Sequence, residues 1–367
     1  MRFVGGDSLH YTNEILKKMA DKRRVYNPKY AFYYMKMHDE YKDKKYKNRS
    51  ERIESCLDLW VFDKYEKNKI LDLKKVNRCY NNRFCPNCKA FDSAKFLHYI
   101  KPQVEELLCS GYEPFLFTVT VPNVTGKNLS TTITKMNNSF RKLFARYNSD
   151  KKGNCLSFRS FKIHAALKTL EITYNSMQQT YHPHFHIMIF LKDYDPIKLK
   201  PYIQGHYSVK NKTHSYHSDY SFELHKVWTM IYKSIRLTKK NFDSMPKDPA
   251  NPIYLITDMR PMDKKGFYEV VKYTVKDNNL NDYEVFKTLV NTLENRKIRQ
   301  TYGELFNFDE DDFDVGEFQE LNLEIEEAPS VLITRDIEEL YTMYRDYAKI
   351  SRFIPQLDLE NIEKSNS

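Results

Sequence analysis

The chain has 367 residues, 41% of them apolar, and a formal net charge of +10. That apolar fraction excludes a disordered or collagen-like chain, and no run approaches the roughly 18 consecutive apolar residues of a membrane span. The N-terminus, Met1-Arg2-Phe3-Val4-Gly5-Gly6-Asp7, soon turns charged and has no signal-peptide core, so a cytoplasmic protein is expected, its six cysteines reduced or metal-bound rather than paired.

The charge is unevenly placed. The first fifty residues are dense in Lys and Arg, with Lys17, Lys18, Lys22, Arg23 and Arg24 opening the series, whereas Glu304–Glu327 holds Asp309-Glu310-Asp311-Asp312 and Glu324-Ile325-Glu326-Glu327. Without that acidic stretch the body is more basic than the total, which fits a phosphate-backbone partner held through counterion release; a solvated Lys-rich surface fits it too.

In chain order, residues 1–50 read as a basic, Tyr-rich, mostly helical extension, and 51–95 as a cysteine-bearing module. An amphipathic helix is predicted over Ser93–Cys109, with Phe96, Tyr99, Ile100, Val104 and Leu107 at helical spacing, broken by Gly111-Tyr112-Glu113-Pro114. Phe115–Val121 reads as a strand stopped by Pro122-Asn123, and Leu129–Asn148 as a helix that the Ser130-Thr131-Thr132 cluster can cap. Strands at Ala166–Tyr174 and His184–Leu191 are joined by a loop or hairpin over 175–183. A helix at Leu224–Ile235, a strand at Ile253–Asp258 and a helix at Gly266–Lys276 follow. The acidic stretch is a linker or solvated face, and Ile333–Ile354 a closing helix. This order predicts an α+β fold: an antiparallel sheet with helices packed on it, plus the small cysteine module and helical N- and C-terminal extensions.

Tyr181-His182-Pro183-His184-Phe185-His186-Ile187-Met188-Ile189-Phe190 is the most informative segment. Side chains alternate along a strand, so His184 and His186 share one face while Phe185, Ile187 and Ile189 enter the core from the other. Two imidazoles on one face of an apolar strand can share a divalent cation, although single histidines are usually structural. If the preceding strand pairs with this one, Glu171 of Leu170-Glu171-Ile172-Thr173 joins that face as a third ligand; otherwise it is a solvated carboxylate. Two imidazoles and a carboxylate suit Mn²⁺ or Mg²⁺, where structural zinc prefers sulfur.

On the predicted helix Gly266–Lys276, Glu269 and Tyr273 lie four apart and share a face. A phenol can attack a phosphodiester when a metal polarises it, Glu269 can serve as general base for water, and Lys272 and Lys276 can hold the DNA backbone. Tyr268 is the rival phenol, and with 28 tyrosines composition alone selects none. Cys79-x5-Cys85-x2-Cys88 has the spacing of a zinc knuckle, with Cys56 as fourth ligand to a structural Zn²⁺; the competing reading is a set of buried thiols. Arg83, Lys89 and Lys95 beside it are candidates for DNA contact, and Cys109 and Cys155 read as packing residues.

Four blocks in order, Cys79…Cys85-Pro86-Asn87-Cys88, Phe117–Asn123, His182-Pro183-His184-Phe185-His186 and Glu269-Val270-Val271-Lys272-Tyr273, resemble the His-hydrophobic-His endonucleases. Within them they resemble the rolling-circle replication initiators of small Gram-positive plasmids. The resemblance covers about Cys56 to Asp277. It implies a nicking endonuclease domain at 96–280, with 281–367 as an acidic and helical C-terminal region. It also implies a cation on His184 and His186, Tyr273 as nucleophile, and Glu269 directing a water in the terminating cleavage. Tyr273 would cut one strand at a plasmid origin presented single-stranded or as a hairpin, stay on the 5′ phosphate, and leave a 3′-OH. Host helicase and DNA polymerase, and a second copy in a dimer, are the implied partners, with no membrane. A relaxase or single-strand transposase would share this chemistry; relaxases usually carry the tyrosine before the histidines, and such transposases are much shorter. A non-catalytic origin-binding regulator is the remaining alternative, and no His-Glu-x-x-His helix supports a zinc hydrolase.

Overall fold

The computed structural model describes residues 13–65, 70–200, 208–209, 212–213, 218–249, 251–271, 280–305, 330–334 and 348–349. In chain order the elements are α1 (Asn13–Tyr41), α2 (Lys44–Glu54), β1 (Trp60–Tyr65), β2 (Ile70–Val76), α3 (Pro86–Cys109), β3 (Glu113–Thr120), α4 (Gly126–Asn148), β4 (Ala165–Asn175) and β5 (Thr180–Leu191). They continue with β6 (Ser208–Val209), β7 (Lys212–Thr213), α5 (Asp219–Tyr232), α6 (Lys239–Ser244), β8 (Thr257–Pro261), α7 (Lys264–Val271), α8 (Tyr283–Leu293), β9 (Arg299–Gly303), β10 (Ser330–Thr334) and β11 (Ala348–Lys349). Among the described residues, no helix is long and apolar enough to cross a membrane. Two units form: residues 13–100, 280–287, 330–334 and 348–349 make one, and 101–271 with 288–305 the other.

In the first unit, β1 and β2 form an antiparallel hairpin extended by β10 beside β1 and, in parallel, by β11 beside β2. The long helix α1 packs on α2, where Ser50 Oγ donates to the Ala31 carbonyl at 2.7 Å and Tyr34 stacks on Tyr46. Tyr30, Tyr33, Tyr34 and Phe84 gather around Phe286 with ring centroids 5.0–5.4 Å apart, the spacing at which aromatic pairs add to burial.

The second unit is built on a five-stranded antiparallel sheet in the order β8-β3-β5-β4-β9. Strand alternation gives it two faces. One carries Phe117, Val119, Leu170, Phe185 and Ile187, all buried, under α4 and α5. The other is apolar at one end, where α7 packs against Leu116, Leu167 and Met188, and polar at the other. Asp263 caps α7 by accepting from the Gly266 N–H at 2.6 Å. Pro183 is tolerated inside β5 because its ring nitrogen faces the side that β3 has left; β3 ends at Thr120, opposite His184.

The α+β class with helices on an antiparallel sheet is as expected, and several boundaries are not. α3 starts at Pro86, inside the cysteine module, with proline in the first helical position where no N–H is needed. α4 starts at Gly126 after Thr125, which makes no side-chain cap bond; Ser130, Thr131 and Thr132 lie within the helix, and the Thr131 hydroxyl bonds back to the Asn128 carbonyl. The strand expected at Ile253–Asp258 is shifted to Thr257–Pro261, because Asn251 closes a turn on Ile253 and Tyr254. The closing helix is overturned at both described ends of its span. Val331-Leu332-Ile333, rich in β-branched residues, pairs with β1, and Ala348–Lys349 pairs with β2; residues 335–347 and 350–354 lie outside the described residues. Cys109, expected in packing, is exposed.

Lys168 stands on the α4-covered face, 1% exposed, its Nζ bonded to Asn137 Oδ1 and 4.5 Å from the Phe185 ring centroid. Burial, with Arg141 adding to it, pulls its ammonium down to about 7. The unfolded chain holds this proton up to the ordinary lysine range near 10.5, so stability is lowest below about pH 7 and rises between these values. Lys168→Met is therefore expected to raise Tm at pH 7 and to flatten the rise of Tm between pH 7 and pH 10. Calorimetry showing the same pH slope in both proteins would refute this.

Candidate metal centres and active site

Two clusters of metal-ligating side chains occur among the described residues, one in each unit. In the first unit, Cys56 follows α2, Cys79 follows β2, and Cys85 and Cys88 flank the start of α3. The Cys56 sulfur is 3.7 Å from those of Cys85 and Cys88, and Cys79 is 3.5 Å from Cys88. Four sulfurs bound about 2.3 Å from one zinc lie roughly 3.8 Å apart, whereas a disulfide needs about 2.05 Å. The spacing therefore fits a tetrahedral zinc. The N–H groups of Cys79 and Asn81 point at the sulfurs of Cys56 and Cys79, each at 3.4 Å, as donors to thiolates do. Three of the thiols hold protons unequally: contacts led by Cys56 push Cys79 and Cys85 above the usual thiol range and draw Cys88 well below it. Arg23 and Asn27 of α1 both donate to the Cys56 carbonyl, so the site also ties down the N-terminal helix. Lys89, a candidate for DNA contact by sequence, is 1% exposed and is removed from that role by burial.

The second cluster is Glu171, His184 and His186, whose ligand atoms lie within 4.8 Å of one another. β4 and β5 pair so that Glu171 is directly opposite His184. One carboxylate oxygen, Oε2, is 2.9 Å from His186 Nε2 and 3.3 Å from His184 Nε2. Ligands side by side on a cation at about 2.1–2.2 Å sit roughly 3 Å apart, so these three atoms fit a divalent ion. The set has no sulfur, unlike the cysteine cluster of the first unit. The three side chains retain only 5–12% of their exposure.

Around them lie groups that the sequence did not single out. His186 Nδ1 is 3.3 Å from Thr118 Oγ1 on β3, and His184 Nδ1 is 3.2 Å from the His182 carbonyl. His182, on the same face, has Nδ1 2.8 Å from Asn123 Oδ1, and its imidazolium is disfavoured by burial and then by neighbouring His184. Across the sheet the His186 row continues through Thr169 to Arg299. The Thr169 hydroxyl donates to the Val270 carbonyl, and Arg299 to that of Val271 at 3.1 Å, so α7 is fastened at its end to the row that carries His186. The alternation of Thr118 and Thr120 in β3 was the available signal for the first of these residues; the others depend on register. Glu269 lies in α7, but its side chain, like that of Tyr268, is outside what the structure describes. Lys272, Tyr273 and Lys276 are outside the described residues.

Fold and clusters define an α+β protein with one closed sulfur site and one mixed imidazole–carboxylate site on its central sheet. The chain belongs to the Rep_1 family, described as Replication protein, whose model matches residues 70–349. The resemblance to rolling-circle plasmid initiators drawn from the four sequence blocks therefore stands. Similar proteins, each called Protein rep, occur in Streptococcus pneumoniae serotype 2 (34% identity over 161 residues, 43% of this chain and 47% of that one) and Staphylococcus aureus (36% over 152, 39% and 58%). Another is from Bacillus sp (29% over 245 residues, 64% and 68%). The chain spans about half the length of the first two relatives. No solved structure matches it.

If the sulfur site holds zinc, purified protein carries one zinc per chain. Cys88→Ser is expected to lose that zinc and to lower Tm by roughly 10 °C, since binding free energy at such a site is folding free energy. Elemental analysis finding wild-type protein metal-free at full stability would refute the assignment.

Proposed function

We propose that this chain initiates rolling-circle replication of a plasmid by nicking one DNA strand at the double-strand origin, presented single-stranded or as a hairpin. The observation that carries the proposal is the placement of α7. Its last described residues, Val270 and Val271, are bonded into the strand row that holds His186, and Tyr273 follows two residues later. The helix end from which the chain runs on to Tyr273 is thus anchored in the row that carries a candidate cation ligand.

Glu171, His184 and His186 would hold a divalent cation, Mn²⁺ or Mg²⁺. When bound, it polarises the phosphate and offsets the charge that develops on its oxygens. The phenol oxygen of Tyr273 forms a bond to phosphorus as the P–O3′ bond breaks. The phenol proton passes to solvent, the 3′ oxygen takes up a proton, and the enzyme remains on the 5′ phosphate. Lys272 and Lys276 hold the strand's phosphates. At termination Glu269 takes the proton of a water that attacks phosphorus at the second cleavage; the P–O3′ bond breaks, the 3′ oxygen takes up a proton, and no second adduct forms. The 3′-OH so freed attacks the phosphotyrosine, the P–O bond to Tyr273 breaks, and the phenol takes up a proton as the protein leaves. The 3′-OH serves host polymerase, with a host helicase unwinding ahead. The cysteine site, with zinc, is structural, and the cytoplasm is the compartment this function requires.

Full-length protein with Mn²⁺ and labelled single-stranded oligonucleotides tiling its own replicon is expected to give a covalent adduct at one origin position. The adduct disappears with Tyr273→Phe and with His186→Ala. An adduct that survives Tyr273→Phe and is lost with Tyr268→Phe would overturn the nucleophile, and wild-type protein that binds origin DNA without cleaving it would favour a regulator. In the same assay Glu269→Ala should slow the second cleavage far more than the first. Equal slowing of both steps would remove Glu269 from the terminating reaction.

A further inference from the structure

We propose that Thr118 and Asn123, from β3 and the turn after it, are positioning residues that set which nitrogen the histidines of β5 offer to the cation; the proposal rests on the cation reading of Glu171, His184 and His186. For His184 the assignment follows from chemistry alone. Its Nδ1 faces the His182 carbonyl at 3.2 Å. A carbonyl only accepts, so Nδ1 carries the hydrogen and the Nε2 lone pair is left toward Glu171.

That carbonyl is itself held. Asn123 Nδ2 donates to Thr180 Oγ1 at 3.3 Å, which turns the amide oxygen to His182 Nδ1 at 2.8 Å. A backbone bridge, Val124 N–H to Tyr181 carbonyl at 2.9 Å and Tyr181 N–H to Val124 carbonyl at 2.8 Å, clamps the same stretch. Asn123 thus acts on His184 through the side chain and backbone of His182.

For His186 the partner is a hydroxyl, which can both give and accept a hydrogen. With Nε2 2.9 Å from Glu171 Oε2, the hydrogen between them is displaced when a cation takes the nitrogen. The remaining N–H is then on Nδ1, and Thr118 Oγ1, 3.3 Å away, can turn its lone pair to it. Valine at this position has the same shape and neither capacity. Loss of such an outer partner of a metal-bound histidine typically costs 10–100-fold in metal affinity. The reading gives the strand and turn Phe117-Thr118-Val119-Thr120-Val121-Pro122-Asn123 a role. Phe117, Val119 and Val121 fill the core, while Thr118 and Asn123 address the histidines.

The test is Mn²⁺ affinity of the full chain, by titration calorimetry with electron paramagnetic resonance of free Mn²⁺ as a check. Thr118→Val is expected to weaken binding tenfold or more with Tm unchanged, and Thr118→Ser to restore it to within about threefold of wild type. Asn123→Leu should weaken binding severalfold, and Asn123→Asp, which keeps an acceptor for His182, should not. Wild-type affinity in Thr118→Val, with binding lost in His186→Ala, would overturn the positioning role alone. Equal Mn²⁺ binding by wild type and His186→Ala would overturn the cation reading and this inference with it.

Discussion

A carboxylate buried against two imidazoles is the constraint around which the central sheet is organised. Glu171 keeps 4% of its exposure, and a carboxylate taken out of water is costly unless partners compensate it. His184 and His186 supply those partners only if Glu171 stands opposite His184, which fixes the register of β4 on β5. A slip of β5 by one residue would turn both imidazoles into the space under α4 and α5, away from Glu171, and bring Phe185 and Ile187 out. Packing and polar pairing thus select the same register, and neither needs to be relaxed to make the site.

The second consequence is the change of character along one sheet face. Leu116, Leu167 and Met188 make an apolar end that needs a cover, and α7 provides it; at Gly266 a Cβ would lie 3.0 Å from both Asp263 Oδ1 and Met262 Sδ, so a side chain there would crowd the turn that caps the helix. Where the face turns polar, at Thr118, His186, Thr169 and Arg299, side chains instead take up the carbonyls of Val270 and Val271. The same row that presents the imidazole therefore anchors the segment leading to Tyr273. Both strands that border the sheet are short, and Pro261 at the end of β8 is compatible with an edge, where no neighbour requires its N–H.

What was legible in the sequence was whatever has a short period or a fixed ligand count. Alternation placed His184 and His186 on one face, and the need for four ligands reached back to Cys56. Glu171 was conditional on a pairing of β4 with β5, and the ladder that joins them satisfies the condition. What was missed depends on distant partners. The end of β10, Ile333-Thr334, was read as the start of a helix because its mate, β1, lies some 270 residues earlier, and local pattern cannot see a ladder of that span. α4 begins ahead of its Ser-Thr-Thr cluster because those hydroxyls have other acceptors and donors, among them Arg296 on the Ser130 carbonyl and hydroxyl. Thr118 was passed over for a different reason: its alternation with Thr120 is ordinary in strands, and its meaning appears only when His186 is set opposite it.

The two clusters also differ in a way that bears on their use. The cysteines retain 0–4% of their exposure, supply four sulfurs at zinc spacing and leave no face for a further ligand, which is how a structural site is made. The imidazole–carboxylate cluster offers three protein atoms, and His184, at 12%, is its most open side chain. A cation that takes six oxygen and nitrogen ligands would keep places there for phosphate oxygens or water. Closure at one site and incompleteness at the other follow from the elements that carry them. Three chain segments converge on the cysteines, whereas two neighbouring strands present the histidines and Glu171 on one face, and among the described residues no fourth ligand joins them.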